Sequence, residues 1–357
     1  MSEHPAVIVT GVAGNLGRRL LLQLQNFKVI GIDLRPPEGS SLAHFEEMDF
    51  GTEASCERLI EVLRETGATS VVHLAFVLDP LQTGILDVER MWQINVAGVA
   101  RVMEAISVVN RLGGNVQRFI FTSSVSAYGP ETPPMVKEDA PLNAHTLNYA
   151  VHKKQADEVV RYRQDWMGDC HSYVLRPHIF TGSTVHNYQI GALHGTPTGN
   201  SKRAEKMRRD GKRLPLMLPW GKQYLGRQFQ FVHVDDVARL VTYLLRRDPA
   251  LDEPLTVLNV SGHGAPLTIA QCAQMANAKI RRVPNRRVAG LILQKLWDWG
   301  ISGIPPDALP YMIGSYTMDT TRLQRFLGPE YHDVIRYSVS EALAESFARA
   351  AAAGSQD

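Results

Sequence analysis

The chain has 357 residues, 44% hydrophobic and 21% charged, with a formal net charge of +2. That size and composition fit one large α/β domain with an appended lobe, or two domains, and the balanced charge argues against a nucleic-acid binder. Three scattered cysteines, Cys56, Cys170 and Cys272, argue against a disulfide framework or a zinc knuckle and favour a reducing compartment.

The first apolar run, Ala6 to Val9, is too short for the core of a secretory signal. No stretch approaches the roughly 20 apolar residues that span a bilayer. We expect a soluble, cytoplasmic protein with no integral membrane segment, a small-molecule substrate and no nucleic-acid partner. Ala6 to Val9 reads as a strand leading into the turn Thr10-Gly11-Val12-Ala13-Gly14-Asn15-Leu16-Gly17. A helical run, Arg18 to Gln25, and a second strand, Lys28 to Ile32, complete a βαβ unit. Gly11, Gly14 and Gly17 allow a tight turn, close approach of a pyrophosphate and close helix–strand packing. Asn15 and Leu16 lie in the same turn, at the helix N-terminus that would face the phosphates. Asp33 ends the second strand, where a carboxylate can accept from both ribose hydroxyls and repel a 2′-phosphate. NAD is therefore favoured over NADP, with Arg35 the one residue that points the other way.

Asp49 and Phe50 follow a strand near Phe45 to Met48 and can meet the adenine; an ordinary turn is the alternative. Ser70 to Leu74 reads as a strand, Val88 to Leu112 as a long helix, and Arg118 to Thr122 as a strand ending in Ser123-Ser124. Such alternation predicts an α/β fold, a doubly wound parallel sheet of Rossmann type with ligands at the carboxyl ends of its strands.

Tyr149 and Lys153 stand four residues apart, on one face of a predicted helix. A nearby ammonium and a positively charged nicotinamide would each favour the phenolate. Ser124 can hold and polarise the substrate oxygen. Tyr149 would take the hydroxyl proton while hydride leaves the carbinol carbon. A Tyr-x-x-x-Lys spacing alone is common on solvated helix faces; the glycine turn, Asp33 and the Thr-Ser-Ser strand end give it weight.

On these motifs the chain resembles the extended short-chain dehydrogenase/reductase family, in its NAD-dependent epimerase/dehydratase branch. The matching segments are Thr10 to Gly17, His73-Leu74-Ala75, Asn95 to Gly98, Phe121 to Gly129, Tyr149 to Lys153, Leu175-Arg176-Pro177 and Phe231 to Ala238. The resemblance implies catalytic roles for Ser124, Tyr149 and Lys153, and a supporting role in a proton relay for Asn95. It extends the cofactor contacts to Leu74, Ala75 and Pro177. It also implies a homodimer packed through the helices matched by Val88 to Leu112 and Leu147 to Trp166.

The departures bear on substrate. Sugar dehydratases of the branch carry Thr-Asp-Glu where this chain has Ser124-Val125-Ser126, so water elimination is set aside. Ile179 and Phe229 stand where UDP-galactose 4-epimerases carry an Asn and an Arg.

Past Pro177 the alternation breaks down. Lys202 to Arg213 is a basic cluster, read either as an anion clamp or as a solvated charged face. Gln228 to Val234 reads as a strand, with Asp235-Asp236 capping the helix Val237 to Arg246, and Leu255 to Val260 as a last strand. Val288 to Trp299 reads as a lobe-core helix, the wall of an apolar pocket, or an interfacial helix. Residues 1–178 and 228–260 are expected to form the cofactor domain, and 179–227 and 261–350 the substrate lobe. The tail from Ala350 to Asp357 is expected to fray.

The expected function is epimerisation of a sugar or nucleotide-sugar through a keto intermediate. The alternative is net oxidation or reduction of an apolar hydroxy or keto compound, and a cofactor-binding regulator without turnover is the third reading.

Overall fold

Seven strands pair as parallel neighbours in the computed structural model, which describes residues 4–39, 42–78 and 87–353, with side chains as far as 348. Their spatial order is Leu255–Val260, His171–Pro177, Arg118–Thr122, Ser70–His73, Ala6–Thr10, Lys28–Asp33, His44–Glu47. Every neighbouring pair in this sheet is parallel, with Val7 opposite Val29 and Val9 opposite Val72. Chain order reverses at Ala6–Thr10, so a crevice opens beside the carboxyl end of that strand.

The central strands are buried on both faces because helices cover both. Ala54–Thr66, Gly98–Arg111 and Asn148–Arg163 pack on one side, with Leu59, Val102 and Ala156 in the core. Asn15–Leu21, Val234–Arg246 and Thr321–Leu327 pack on the other, with Leu20, Leu240 and Leu323. The expected strands and helices of this half appear with ends moved by a few residues. The long helix predicted from Val88 is interrupted by a π-turn over Gln93–Ala97, which carries Asn95. Such turns insert one residue and re-aim a side chain.

A third apolar cluster is built around Ile179, Phe229, Tyr311 and Tyr316 and takes in Tyr128 and Ala150. The single strand expected over Gln228 to Val234 is two strands. Gln228–Phe229 pairs antiparallel with Leu267–Thr268, and Phe231–His233 parallel with Ile179–Thr181. Between them Gln230 turns its buried amide to the Met318 backbone, accepting from its N–H at 2.7 Å. The helix that follows is capped by His233, whose Nδ1 accepts from the Asp235 N–H at 3.2 Å, and not by the aspartates. Asp236, fully buried, pairs with Arg239 and accepts from the N–H groups of Arg336 and Tyr337. The basic cluster forms a helix, Lys202–Arg209, capped by Ser201. The helix Val339–Ala353 runs into the tail expected to fray, and residues 354–357 lie outside the described residues.

Among the described residues, no helix is long and apolar enough to cross a membrane, and no group of three or more His, Cys, Asp or Glu could hold a metal ion.

Candidate active site

The glycine turn is shaped by contacts that leave no room for side chains. Gly11 has φ +67°, and a Cβ there would lie 2.5 Å from the Ala75 nitrogen. The turn thus presses directly on the end of the neighbouring strand, at Leu74 and Ala75. A Cβ on Gly17 would lie 2.6 Å from the carbonyl oxygens of Gly11 and Val12. Thr10 secures the other side, its hydroxyl accepting from the N–H groups of Leu74 and Ala75 at 3.2 Å each.

Gly14 begins the helix without a side-chain cap, so the N–H groups of the first turn, around Asn15 and Leu16, have no intrahelical acceptor. The Asn15 amide donates to the Thr184 carbonyl at 2.7 Å, while its buried Oδ1 has no partner. Asp33 ends its strand as expected and accepts from the Ala13 N–H at 2.9 Å and its neighbour Leu34 at 2.7 Å. It braces the turn as well as standing at the crevice. Asp49 pairs with Arg90 and accepts from the Gly51 N–H at 2.9 Å. The Phe50 ring is only 3% exposed and lies edge-on to His73, 5.4 Å away, so it belongs to the core. Pro177 ends its strand opposite Val260.

Ser124, Tyr149 and Lys153 converge. Ser124 follows the Arg118–Thr122 strand and begins a 3-10 turn, its hydroxyl accepting from the Ser126 hydroxyl at 2.9 Å. Tyr149 lies on the first turn of Asn148–Arg163 and hydrogen-bonds Ser124. Lys153 stands one turn later and donates to the Thr122 carbonyl at 2.6 Å. Its ammonium sits 3.5 Å from the Phe76 ring centroid and 5.8 Å from that of Tyr149. Phe76 in turn meets Tyr149 edge-on at 5.7 Å.

The electrostatics correct one expectation. Burial pushes the Tyr149 hydroxyl up to about 12, and the hydrogen bond to Ser124 only partly opposes it. Burial pushes Lys153 down to about 7, with Asp157 opposing. In the protein alone the lysine does not acidify the tyrosine; its Nζ is directed to a carbonyl and a ring face. His73 is pushed down to about 3, by burial and then by Lys153, and its Nε2 has no partner.

Asn95 is fully buried and clamps Val77 through both backbone groups, at 2.6 and 3.1 Å. Its amide also lies 3.3 Å from His152 Nδ1, on the helix that carries Tyr149 and Lys153. Beneath the site, Asp157 and Arg176 form a bidentate pair at 2.8 Å with no exposure of either side chain. Arg176 also donates to the Tyr128 hydroxyl and the Glu138 carbonyl. This pair fixes the helix that carries Tyr149 and Lys153 on the sheet.

Sequence reading missed Phe76, His152 and Thr184. Phe76 follows a strand's carboxyl end, which is a usable signal. His152 is buried behind the helix face that was considered, and Thr184 lies too far along the chain for spacing to reveal it.

The model of the NAD-dependent epimerase/dehydratase family matches residues 7–260. An uncharacterized epimerase/dehydratase of Staphylococcus aureus (strain USA300) is 24% identical over 160 residues, covering 44% of this chain; the chain spans about half the length of the curated relatives it matches, 47% here. The fold is that of the UDP-glucose 4-epimerase from Thermotoga maritima, solved with UDP-glucose, at TM-score 0.64 and 17% identity, with 97% of this chain and 99% of that one covered. It is likewise that of DesIV, the dTDP-glucose 4,6-dehydratase from Streptomyces venezuelae with NAD and TYD bound, at TM-score 0.66 and 20% identity, covering 96% and 95%. With the family model spanning the glycine turn, Ser124, Tyr149 and Lys153, the chain belongs to the NAD-dependent epimerase/dehydratase family.

Proposed function

We propose that this protein catalyses NAD-dependent hydride exchange at a carbinol carbon, with Tyr149 as the base. The observation that carries the reading is the convergence of Ser124, Tyr149 and Lys153 beside the glycine turn. The residues fit the cofactor: Gly11 and Gly17 leave a cradle that a Cβ would fill, and the first helical turn keeps its N–H groups free. The partnerless Asn15 Oδ1 beside them is a further polar atom for it. Gly11, Gly14, Asn15, Leu16 and Gly17 would hold the pyrophosphate. Asp33 would hold the adenosine ribose, and Asp49, Leu74, Ala75 and Pro177 would flank the dinucleotide. When bound, the nicotinamide supplies the hydride acceptor, and its positive charge in the oxidised form favours the Tyr149 phenolate.

This chain does the rest. The hydroxyls of Ser124 and Tyr149 hold the substrate oxygen, and Tyr149 Oη takes the carbinol proton. Lys153, anchored on the Thr122 carbonyl, keeps the helix and its tyrosine in register. Asn95 fixes the loop at Val77 behind them.

The first substrate class is a sugar or nucleotide-sugar, epimerised without net cofactor turnover; the nucleotide sugars solved with structures of this fold support it. The second, favoured by an apolar cavity in the substrate lobe, is net oxidation or reduction of an apolar alcohol or ketone. Incubation with NAD and a panel of UDP-hexoses, and separately with hydrophobic alcohols, tests both by product and by reduced-cofactor absorbance. Tyr149→Phe should lower turnover about 10²- to 10⁴-fold while NAD binding persists; undiminished turnover would remove Tyr149 from the reaction.

A further inference from the structure

The segment Val288 to Trp299 turns out to wall a cavity. The helix Arg286–Asp298 closes one side of an apolar cavity. Ala192, Met217, Leu293, Leu296, Met312 and Ile313 give it its character. Among the described residues, no Lys, Arg, His, Asp or Glu lines it. Three hydroxyls do, and two of them are already engaged: Thr198 accepts from the Gly303 N–H at 2.8 Å, and Ser302 from the Ile304 N–H at 3.1 Å. Burying a diphosphate here would strip its hydration with no cation to replace it, at a cost of several kcal/mol or more.

None of the basic residues of the cluster Lys202 to Arg213 lines the cavity, and four of them are engaged elsewhere. Arg208 donates to the carbonyls of Pro197 and Gly199, both at 2.8 Å. Arg213 donates to the carbonyls of His194 and Ala276. Arg203 lies over the Trp299 ring at 5.5 Å, and Lys212 pairs with Asp210 at 3.6 Å.

The cavity wall and the helix that carries Tyr149 share one apolar cluster. The wall residues Leu309, Met312 and Ile313 share the short helix Leu309–Ile313, which packs in that cluster with Leu147 and Ala150 at the start of the helix that carries Tyr149. Leu216, Leu309, Ile313 and the Tyr149 ring belong to one apolar cluster, together with Ile179 and Phe229.

We infer that this cavity receives the non-reacting part of the substrate, and that this part is uncharged and apolar, a fused ring or branched hydrocarbon, in place of a nucleoside diphosphate. The inference rests on the hydride reading above, with the carbinol carbon at Tyr149. An apolar, uncharged lining suits a ligand held by shape and desolvation rather than by charge.

The test is calorimetric titration of the NAD-loaded protein with 2-decalol, 1-decanol, uridine diphosphate and UDP-glucose. The wild type, Ala192→Leu and Leu296→Gln are compared, with circular dichroism confirming that each is folded. Ala192→Leu fills the cavity and Leu296→Gln places an amide in it. At least one of the two alcohols should bind wild type, and bind Ala192→Leu and Leu296→Gln at least roughly 10-fold more weakly; the uridine compounds should bind none of the three. Failure of both alcohols to bind, or binding unchanged by both cavity variants, overturns the inference. So does UDP-glucose turnover with Ala192→Leu indistinguishable from wild type, which would leave the catalytic reading standing. An alcohol that binds with the expected cavity dependence, but whose hydride never reaches NAD in the wild type, supports the cavity and removes the catalytic reading.

Discussion

Lys153→Met should stabilise the protein while impairing it, by an amount that depends on pH. The lysine is 4% exposed, and its folded pKa is lowered from 10.5 to about 7. In the unfolded chain it binds a proton up to its ordinary value; in the folded chain it gives that proton up near neutrality. Between those values the unfolded state holds more protons, so this group's penalty on folding grows as pH falls from 10.5 and is complete below about 7. At roughly 1.36 kcal/mol per pH unit, the penalty is about 4 kcal/mol at pH 7 and about 1 kcal/mol near pH 9.5. Methionine keeps the apolar stem but has no atom in place of the Nζ that lies on Phe76, and it leaves the Thr122 carbonyl without its 2.6 Å donor, which costs about 1 kcal/mol at any pH. The variant should therefore be about 3 kcal/mol more stable at pH 7 and about equal to wild type near pH 9.5. Urea unfolding followed by circular dichroism at the two pH values measures this, with turnover assayed in parallel. A stability difference that is the same at both pH values would show that the lysine is not held as a buried, desolvated amine.

Asp157→Asn should destabilise by about 3–5 kcal/mol in urea, because it strands the fully buried Arg176 guanidinium; a loss below about 1 kcal/mol would mean the pair does not anchor the catalytic helix. Gly17→Ala places a Cβ 2.6 Å from two carbonyl oxygens, so it should weaken NAD binding at least about 10-fold by forcing the turn open; equilibrium dialysis showing unchanged affinity would refute the cradle.

The βαβ start, the strand-ending Asp33 and the Ser124, Tyr149, Lys153 set were legible because each rests on short spacing. A glycine turn, a strand end and an i, i+4 pair are local geometry. The same local view misjudged what Lys153 does: spacing put it beside Tyr149, but folding brought the Thr122 carbonyl and the Phe76 ring to it first. It also gave the cap of Val234–Arg246 to the aspartates, because a histidine cap depends on how the preceding strand delivers its ring.

The sequence by itself determined the doubly wound sheet and the kind of chemistry at its edge, since apolar period and turn residues act over a few positions. Only the tertiary structure decided the environment of that chemistry. Burial of Tyr149 and Lys153, the Asp157–Arg176 anchor and the uncharged cavity beside Leu293 all arise where distant segments pack together. Desolvation and cavity shape are properties of that packing, and no run of neighbouring residues encodes them alone.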